Sequence, residues 1–313
     1  MSWIEKISKK LKPKLDNLFR KKSSIPDNLW TNCAACSDMI YKEDIENNLY
    51  CCTKCQEPQQ ILPRQRFEIL FDEGTFEELE TPRLSSDPLH WKDITPYKDK
   101  VKAARQKFNQ RHAALVATGN IKNIKTVVYC MNQKFLGGSV GIEEGEAFVF
   151  ACKYAVEQNI PFIAFPQTGG QKMQHSAYAL MQMPKSIIGL QMLEEKGIPA
   201  IIMATSPVAG GVTASWFYGP SVFVFAESEH TKIMFAGPNV IKRTIGEDLP
   251  DGFQTAGYLL KKGFVDRIIH RKNHREELSN LLSILLNLKN TQATSSLDAT
   301  DENPISSQQT LSA

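Results

Sequence analysis

Four cysteines carry the sharpest chemical signal in this 313-residue chain. Cys33 and Cys36 flank two residues in C-A-A-C, Cys52 and Cys55 flank two in C-T-K-C, and fifteen residues lie between the pairs. Each Cys-x-x-Cys places two thiolates on one tight turn, and two such turns complete a tetrahedral four-sulfur site. The protein fills all four positions, so the site is closed, the expected metal is one Zn²⁺, and its role is structural. Cys51 is a neighbour left over, since Cys52 gives the better spacing. A zinc ribbon serves nucleic-acid binding and protein scaffolding alike, so it leaves the function open.

The second chemical resource is backbone. Gly210 and Gly211 lie in T-S-P-V-A-G-G-V-T-A-S, between an apolar run over residues 198–204 and a small, uncharged stretch over 212–218. The first reads as a buried strand and the second as a tightly packed helix. A strand that turns through paired glycines into a helix leaves N–H groups free at the helix start. With no Cβ in the way, a ligand oxygen can approach them, and such donors stabilise an oxyanion unaided. Taken alone, the stretch reads equally as an ordinary turn in a packed core. The pattern recurs, however, in F-P-Q-T-G-G-Q-K-M-Q with Gly169 and Gly170, and a further glycine turn, F-L-G-G-S-V-G, holds Gly137 and Gly138. Recurrence argues for more than packing.

Side-chain chemistry is sparse. Six histidines are present, and no nucleophile–base pair, phosphate loop or dinucleotide fingerprint stands out. Glu143 and Glu144 follow a glycine turn and have the chemistry of a general acid and base, but such a pair reads more readily as a solvated helix face. His175, just past Gly169 and Gly170, reads as a hydrogen-bonding neighbour. If the chain is an enzyme, catalysis rests on backbone donors, with a base supplied by the substrate.

The elements that must position these groups alternate. Residues 114–119, 126–131 and 162–165 read as short strands, 142–158 and 177–196 as long helices, and 221–226 as another strand, which argues for α/β architecture. Residues 56–110 read as polar and helical, with helices expected near 64–79 and 98–111. Later segments read as a strand near 232–238, a helix from 240, a last short strand within 263–269, and an amphipathic helix over 276–288. Residues 197–226 hold no charge, but Pro199, Pro207, Gly210, Gly211, Gly219 and Pro220 cut the segment into pieces too broken to cross a bilayer.

Hydrophobic content of 42% and charged content of 23% are those of a globular protein, and a net charge of +3 does not call for a polyanion partner. Residues 1–25 nevertheless hold eight Lys or Arg against Glu5 and Asp16. Residues 1–22 read as a basic amphipathic helix broken by Pro13, suited to a docking arm or to weak, salt-sensitive nucleic-acid contact. No apolar core follows them, so they are not a secretory signal. Seven cysteines then suggest a reducing compartment. Beyond residue 290 the composition favours disorder.

Taken as a set, these motifs are familiar. M-S-W-I-E-K-I, the C-x₂-C-x₁₅-C-x₂-C ribbon, F-L-G-G-S-V-G, T-G-G-Q-K-M-Q, A-L-M-Q-M, A-G-G-V-T-A-S and F-A-G-P-N-V-I resemble, in order and spacing, the carboxyltransferase β subunit of bacterial-type acetyl-CoA carboxylase, over residues 1 to about 288. The resemblance implies an α/β, crotonase-like ββα superhelix behind a zinc ribbon, with a basic arm over 1–28, the ribbon over 29–57, the carboxyltransferase domain over 58–289 and a tail over 290–313. It implies a cytoplasmic enzyme of fatty acid synthesis that moves a carboxyl group from carboxybiotin, on a biotin carboxyl carrier protein, to acetyl-CoA, forming malonyl-CoA. An α-type subunit completes the site in an α₂β₂ assembly, and an ATP-binding biotin carboxylase belongs to the wider complex. Gly210 and Gly211 would present N–H groups to an oxyanion, Gly169, Gly170 and Gln171 would line the acyl-CoA and biotin pocket with Gly137 and Gly138, and departing biotin would take the acetyl proton.

The chain departs from the usual pattern near the site. The turn usually reads G-G-A-R-M-Q-E, and here Gln171, Lys172 and His175 replace Ala, Arg and Glu; Pro220 replaces Asp, and Glu143 and Glu144 replace uncharged positions. A chain of another class, a non-catalytic zinc-ribbon subunit that contacts nucleic acid or a partner protein, would tolerate such changes but would not need the paired glycines.

Overall fold

The computed structural model describes residues 29–247 and 249–288. The basic arm and the tail lie outside the described residues. The described residues fall into two compact units, one ending at Gln59 and one starting at Gln60.

The smaller unit is built on a two-stranded antiparallel ribbon, β1 (Trp30–Asn32) with β2 (Met39–Tyr41), followed by one short helix, α1 (Lys42–Asn47). Its apolar centre is slight, formed by Cys33, Ile40, Ile45 and Cys52. So small a core needs a second source of stability.

The larger unit is organised by a seven-stranded sheet. Helix α2 (Pro63–Leu70) leads to the edge strand β3 (Glu77–Leu79), and α3 (Tyr97–Phe108) leads to the hairpin β4 (Ala114–Ile121) and β5 (Ile124–Met131). Helix α4 (Ile142–Gln158) crosses to β6 (Phe162–Phe165), giving one strand–strand–helix unit, β4–β5–α4. Helices α5 (Ala177–Leu180) and α6 (Gln182–Glu195) cross to β7 (Ala200–Ala204). Next come the two-residue strand β8 (Val208–Ala209), helix α7 (Gly211–Trp216), β9 (Val222–Ala226), β10 (Ile233–Met234), α8 (Pro238–Ile245), α9 (Ala256–Lys261), β11 (Arg267–Ile268) and α10 (His274–Leu285). The sheet order is β11-β9-β7-β6-β5-β4-β3, parallel from β11 to β5 and antiparallel through β4 and β3.

Both faces of the sheet are covered, which explains why its strands read as unbroken apolar runs. Alternate residues divide between two cores. Val127, Tyr129, Phe162, Ala164, Ala200 and Ile202 join Phe148, Leu190 and Trp216 on one side. Val128, Ile163, Phe165, Ile201 and Met203 meet Phe67, Leu70, Leu278 and Leu282 of α2 and α10 on the other. The Phe148 and Trp216 rings stack at 4.2 Å, with Tyr129 edge-on to both.

Two expectations change. The helix expected over 177–196 is divided between α5 and α6. Pro184 has no N–H to offer the Leu180 carbonyl, so the helix cannot run through unaltered. The helix expected over 64–79 ends at Leu70, and Glu77–Leu79 instead extends the sheet beside β4. Among the described residues no helix is long and apolar enough to cross a membrane.

Candidate active site

The glycine turns all leave the C-terminal ends of neighbouring parallel strands, β5, β6 and β7, where open α/β sheets present their ligands. The chain after β5 makes a 3-10 turn, Leu136–Gly138, with Gly137 at φ +78°. The Gly169 N–H donates to the Gly137 carbonyl at 2.9 Å. The Val140 N–H donates to the Gly170 carbonyl and the Lys172 N–H to the Val140 carbonyl, both at 2.9 Å, so the first two turns are stitched side by side. The third turn abuts the second. Gly170 sits at φ +115° and Gly210 at φ +66°, and a Cβ on Gly210 would lie in van der Waals contact with the Gly170 Cα, at 3.6 Å. The positive φ at both positions strains any residue with a side chain.

The donor inventory corrects one expectation. The Gly210 N–H is not free, because it donates to the Met234 carbonyl at 2.8 Å, extending the parallel pairing of β8 with β10. The Gly169 N–H is taken by Gly137, and the Gly170 N–H by the Thr168 hydroxyl at 3.0 Å. At the start of α7 the N–H groups of Gly211, Val212 and Thr213 have no acceptor among the described residues. Gln171 packs against Gly211: a Cβ there would meet the Gln171 Cδ at 2.9 Å and the Met183 Sδ at 2.5 Å. The Gln171 Nε2 donates to the Ala179 carbonyl at 3.0 Å, while its Oε1 and the Thr213 hydroxyl are buried without a partner.

The second correction concerns Glu143 and Glu144, which do not form a solvated face. They are 4% and 0% exposed. The Glu144 carboxylate closes a capping box on α4 by accepting the Gly141 N–H at 2.9 Å, takes the Ala113 N–H at 3.1 Å, and receives the Lys172 ammonium on both oxygens at 2.9 and 2.8 Å. Burial alone would raise its pKa, but the Lys172 charge outweighs burial and brings it to about 2. Glu143 has only the half-exposed Arg105, at 3.1 Å. Burial, and then the charge of Glu144, push Glu143 up to about 7. His175 is the hydrogen-bonding neighbour expected of it. Its Nδ1 accepts the Ile142 N–H at 3.2 Å and its Nε2 meets the Ser86 carbonyl at 3.0 Å, so the ring is neutral. Burial lowers its pKa. Lys172 and Glu144 thus satisfy one another, and His175 is satisfied separately beside them. Two glutamates beside a glycine turn and a lysine in the next turn were the available sequence signal; their pairing was not.

In the ribbon, Cys33, Cys36, Cys52 and Cys55 bring their sulfurs within 4.8 Å of one another. The Cys33–Cys55 and Cys36–Cys52 separations are 3.6 and 3.8 Å. A zinc about 2.3 Å from each sulfur requires separations of about 3.8 Å, which these thiols meet. Backbone N–H groups of Ala35, Lys54 and Cys55 point at Cys33 or Cys52 sulfur at 3.4 Å, favouring thiolates. Burial raises the Cys33 pKa, but the N–H donors of Cys36 and Ala35 prevail and bring it to about 7. Cys51 stands apart with its thiol toward the Leu49 carbonyl.

Comparison with known proteins agrees with this geometry. Residues 59–311 match the carboxyl transferase domain family, and residues 30–55 match the acetyl-CoA carboxylase zinc finger domain. The acetyl-coenzyme A carboxylase carboxyl transferase subunit beta of Pelagibacter ubique is 39% identical over 305 residues, covering 96% of this chain and 97% of that protein. The protein of the same description from Dinoroseobacter shibae is 40% identical over 288 residues, covering 92% and 88%. Among solved structures, transcarboxylase 12S superposes with a TM-score of 0.57 at 21% identity, over 70% of this chain and 41% of that one. This chain thus spans about two fifths of that one's length. A Pseudomonas malonate decarboxylase heterodimer superposes with a TM-score of 0.52 at 19% identity, over 72% and 86%.

The sheet, its crossover helices and the glycine turns at its strand ends define a crotonase-like carboxyltransferase, here preceded by a four-cysteine ribbon. Identity of about 39% over nearly the full length narrows the class. The chain belongs to the family of acetyl-coenzyme A carboxylase carboxyl transferase β subunits.

Proposed function

We propose that the chain is the oxyanion-bearing half of a carboxyltransferase that moves a carboxyl group from carboxybiotin, held on a separate carrier protein, to acetyl-CoA, forming malonyl-CoA for fatty acid synthesis in the cytoplasm. The observation that carries this reading is the packing of three glycine turns at adjacent strand ends beside a helix start whose Gly211 N–H has no acceptor among the described residues. Charge develops on the thioester oxygen as the acetyl group becomes an enolate, and fixed N–H donors stabilise that charge more than they stabilise the ground state. Gly211, with Val212 behind it, supplies the donors. Gly210 contributes its missing side chain and its backbone turn, not its N–H. Gly169, Gly170, Gln171, Gly137 and Gly138 wall the acyl-CoA and biotin pocket, and the base comes from the carboxyl donor, because among the described residues no exposed carboxylate or histidine stands at these turns.

Cys33, Cys36, Cys52 and Cys55 would hold the zinc, which supplies a fixed crosslink for the ribbon and takes no part in carboxyl transfer. An α-type subunit, in an α₂β₂ assembly, would complete the site. Support for a partner surface comes from Met173, Tyr178, Met181 and Ile188, exposed by 77, 52, 61 and 58% on and before α5 and α6, next to the Gly169–Gly170 turn in sequence. So much exposed apolar surface in one segment marks an interaction site.

The test is reconstitution. The purified chain alone should form no malonyl-CoA from carboxylated carrier and acetyl-CoA, and addition of the α-type subunit should restore turnover. Full activity of the isolated chain, or none in the assembled complex, would refute the reading.

A further inference from the structure

The buried pair Lys172–Glu144 has no role in the chemistry described above, yet it spans the two turns that wall the site. Lys172 belongs to the segment after Gly169 and Gly170, and its ammonium lies 2.8–2.9 Å from both oxygens of Glu144. Glu144 in turn accepts the N–H of Gly141, at the end of the turn holding Gly137 and Gly138, and the N–H of Ala113, which leads into β4. The two side chains are 5 and 0% exposed. Apart from the pair, the turns are joined by three backbone hydrogen bonds, through Gly169, Val140 and Lys172, around an isolated bridge between Val140 and Gln171.

A buried ion pair is a poor source of net stability, since apolar residues of equal volume often serve as well. It does fix geometry. Four hydrogen bonds converge on one carboxylate, two from Lys172 and one each from Gly141 and Ala113, so three segments are held together and a shift of either turn breaks at least one of these bonds. The glycine turns have no side chains of their own with which to resist such a shift.

We propose that Lys172 is a positioning residue for carboxyl transfer, which through Glu144 locks the turn of Gly137 and Gly138 against the turn of Gly169 and Gly170 and sets the spacing of the pocket walls. This rests on the carboxyltransferase reading given above. Lys172 and Glu144 then act together as a clamp on the pocket walls.

The experiment compares the wild-type complex with K172M/E144Q, which removes both charges at similar volume, and with K172R, which keeps the cation. Melting of each complex is measured beside kcat and the acetyl-CoA KM. The double variant should melt close to wild type, keep its KM, and lose kcat on the order of 10²-fold, the size expected when reacting groups are displaced by about 1 Å. K172R should retain most of the turnover. A double variant with wild-type kcat overturns the proposal, as does a loss of kcat that merely follows a loss of folded protein. K172R as slow as the double variant, at wild-type melting temperature, also overturns it. A wild-type complex without turnover would remove the carboxyltransferase reading itself, and this proposal with it. An active wild type with an unaffected double variant removes only the clamp.

Discussion

Two clusters of buried charge sit on opposite faces of the central sheet, and they serve different ends. The Lys172–Glu144 pair lies on the side of α4 and joins loops through backbone N–H groups. The other cluster joins layers. Arg66 of α2 and Arg271, just before α10, both grip Glu227 at the end of β9, at 2.9 and 2.8 Å, with all three residues under 5% exposed. Arg66 also lies 4.7 Å over the Phe165 ring, and neutral His274 donates its Nε2–H to the Ile269 carbonyl at 3.0 Å beside it. No glycine turn is attached to this cluster. Burying charge near the turns specifies a site; burying it between helices and sheet specifies packing. The ribbon has neither arrangement and relies on four thiolates.

The difference should be most severe at the ribbon. Cys36→Ser should unfold that unit and release its metal, since closed zinc sites contribute about 10–16 kcal/mol of apparent binding energy to folding. Metal content and protease sensitivity of residues 29–59 report the outcome, and a folded, zinc-loaded variant would contradict it. Next comes Glu227→Gln, which leaves two buried guanidinium groups without a counter-charge. Breaking such a pair costs about 3–5 kcal/mol. Urea unfolding should show that loss, while kcat per folded complex stays unchanged; a selective loss of kcat would erase the distinction between the two clusters.

The smallest effect expected is one of pH. Glu143 titrates near 7 in the fold against an ordinary 4.5. The fold therefore holds a proton that the unfolded chain has released, and the stability linked to this group is present below about 4.5 and lost as pH rises through about 7. Glu144, at about 2, and His274, at about 3, act in the opposite sense: their contributions are complete above the ordinary values of 4.5 and 6.5 and are lost as pH falls toward the folded ones. Thermal melting across this range should show Glu143→Gln flattening the decline on the neutral side and leaving the acid limb in place.

Much of this was legible in the sequence, for identifiable reasons. The ribbon follows from local spacing, and α4 occupies 142–158 as its apolar periodicity indicated. The parallel strands were readable because both faces are buried. The partners were not. Acids in the first turn of a helix usually face solvent, and nothing local shows that Glu144 meets a lysine 28 residues on. The Gly210 N–H looked free because the strand that takes it, β10, is two residues long and lies beyond β9 in the chain. The strand β3 was missed because E-E-L carries helix-forming residues and is fixed by pairing with β4, not by propensity.

The central claim is that the free N–H at the start of α7 stabilises the developing oxyanion, and it is tested most directly by the turnover of Gly211→Pro against Gly211→Ala in the assembled complex. Both changes place a Cβ against Met183 and Gln171, and the first helical position accepts proline, so the pair differs chiefly in one N–H. The account expects Gly211→Pro to turn over more slowly than Gly211→Ala by on the order of 10²–10³-fold, the cost of one lost oxyanion donor, with acetyl-CoA binding little changed. A folded Gly211→Pro complex as fast as Gly211→Ala would contradict it.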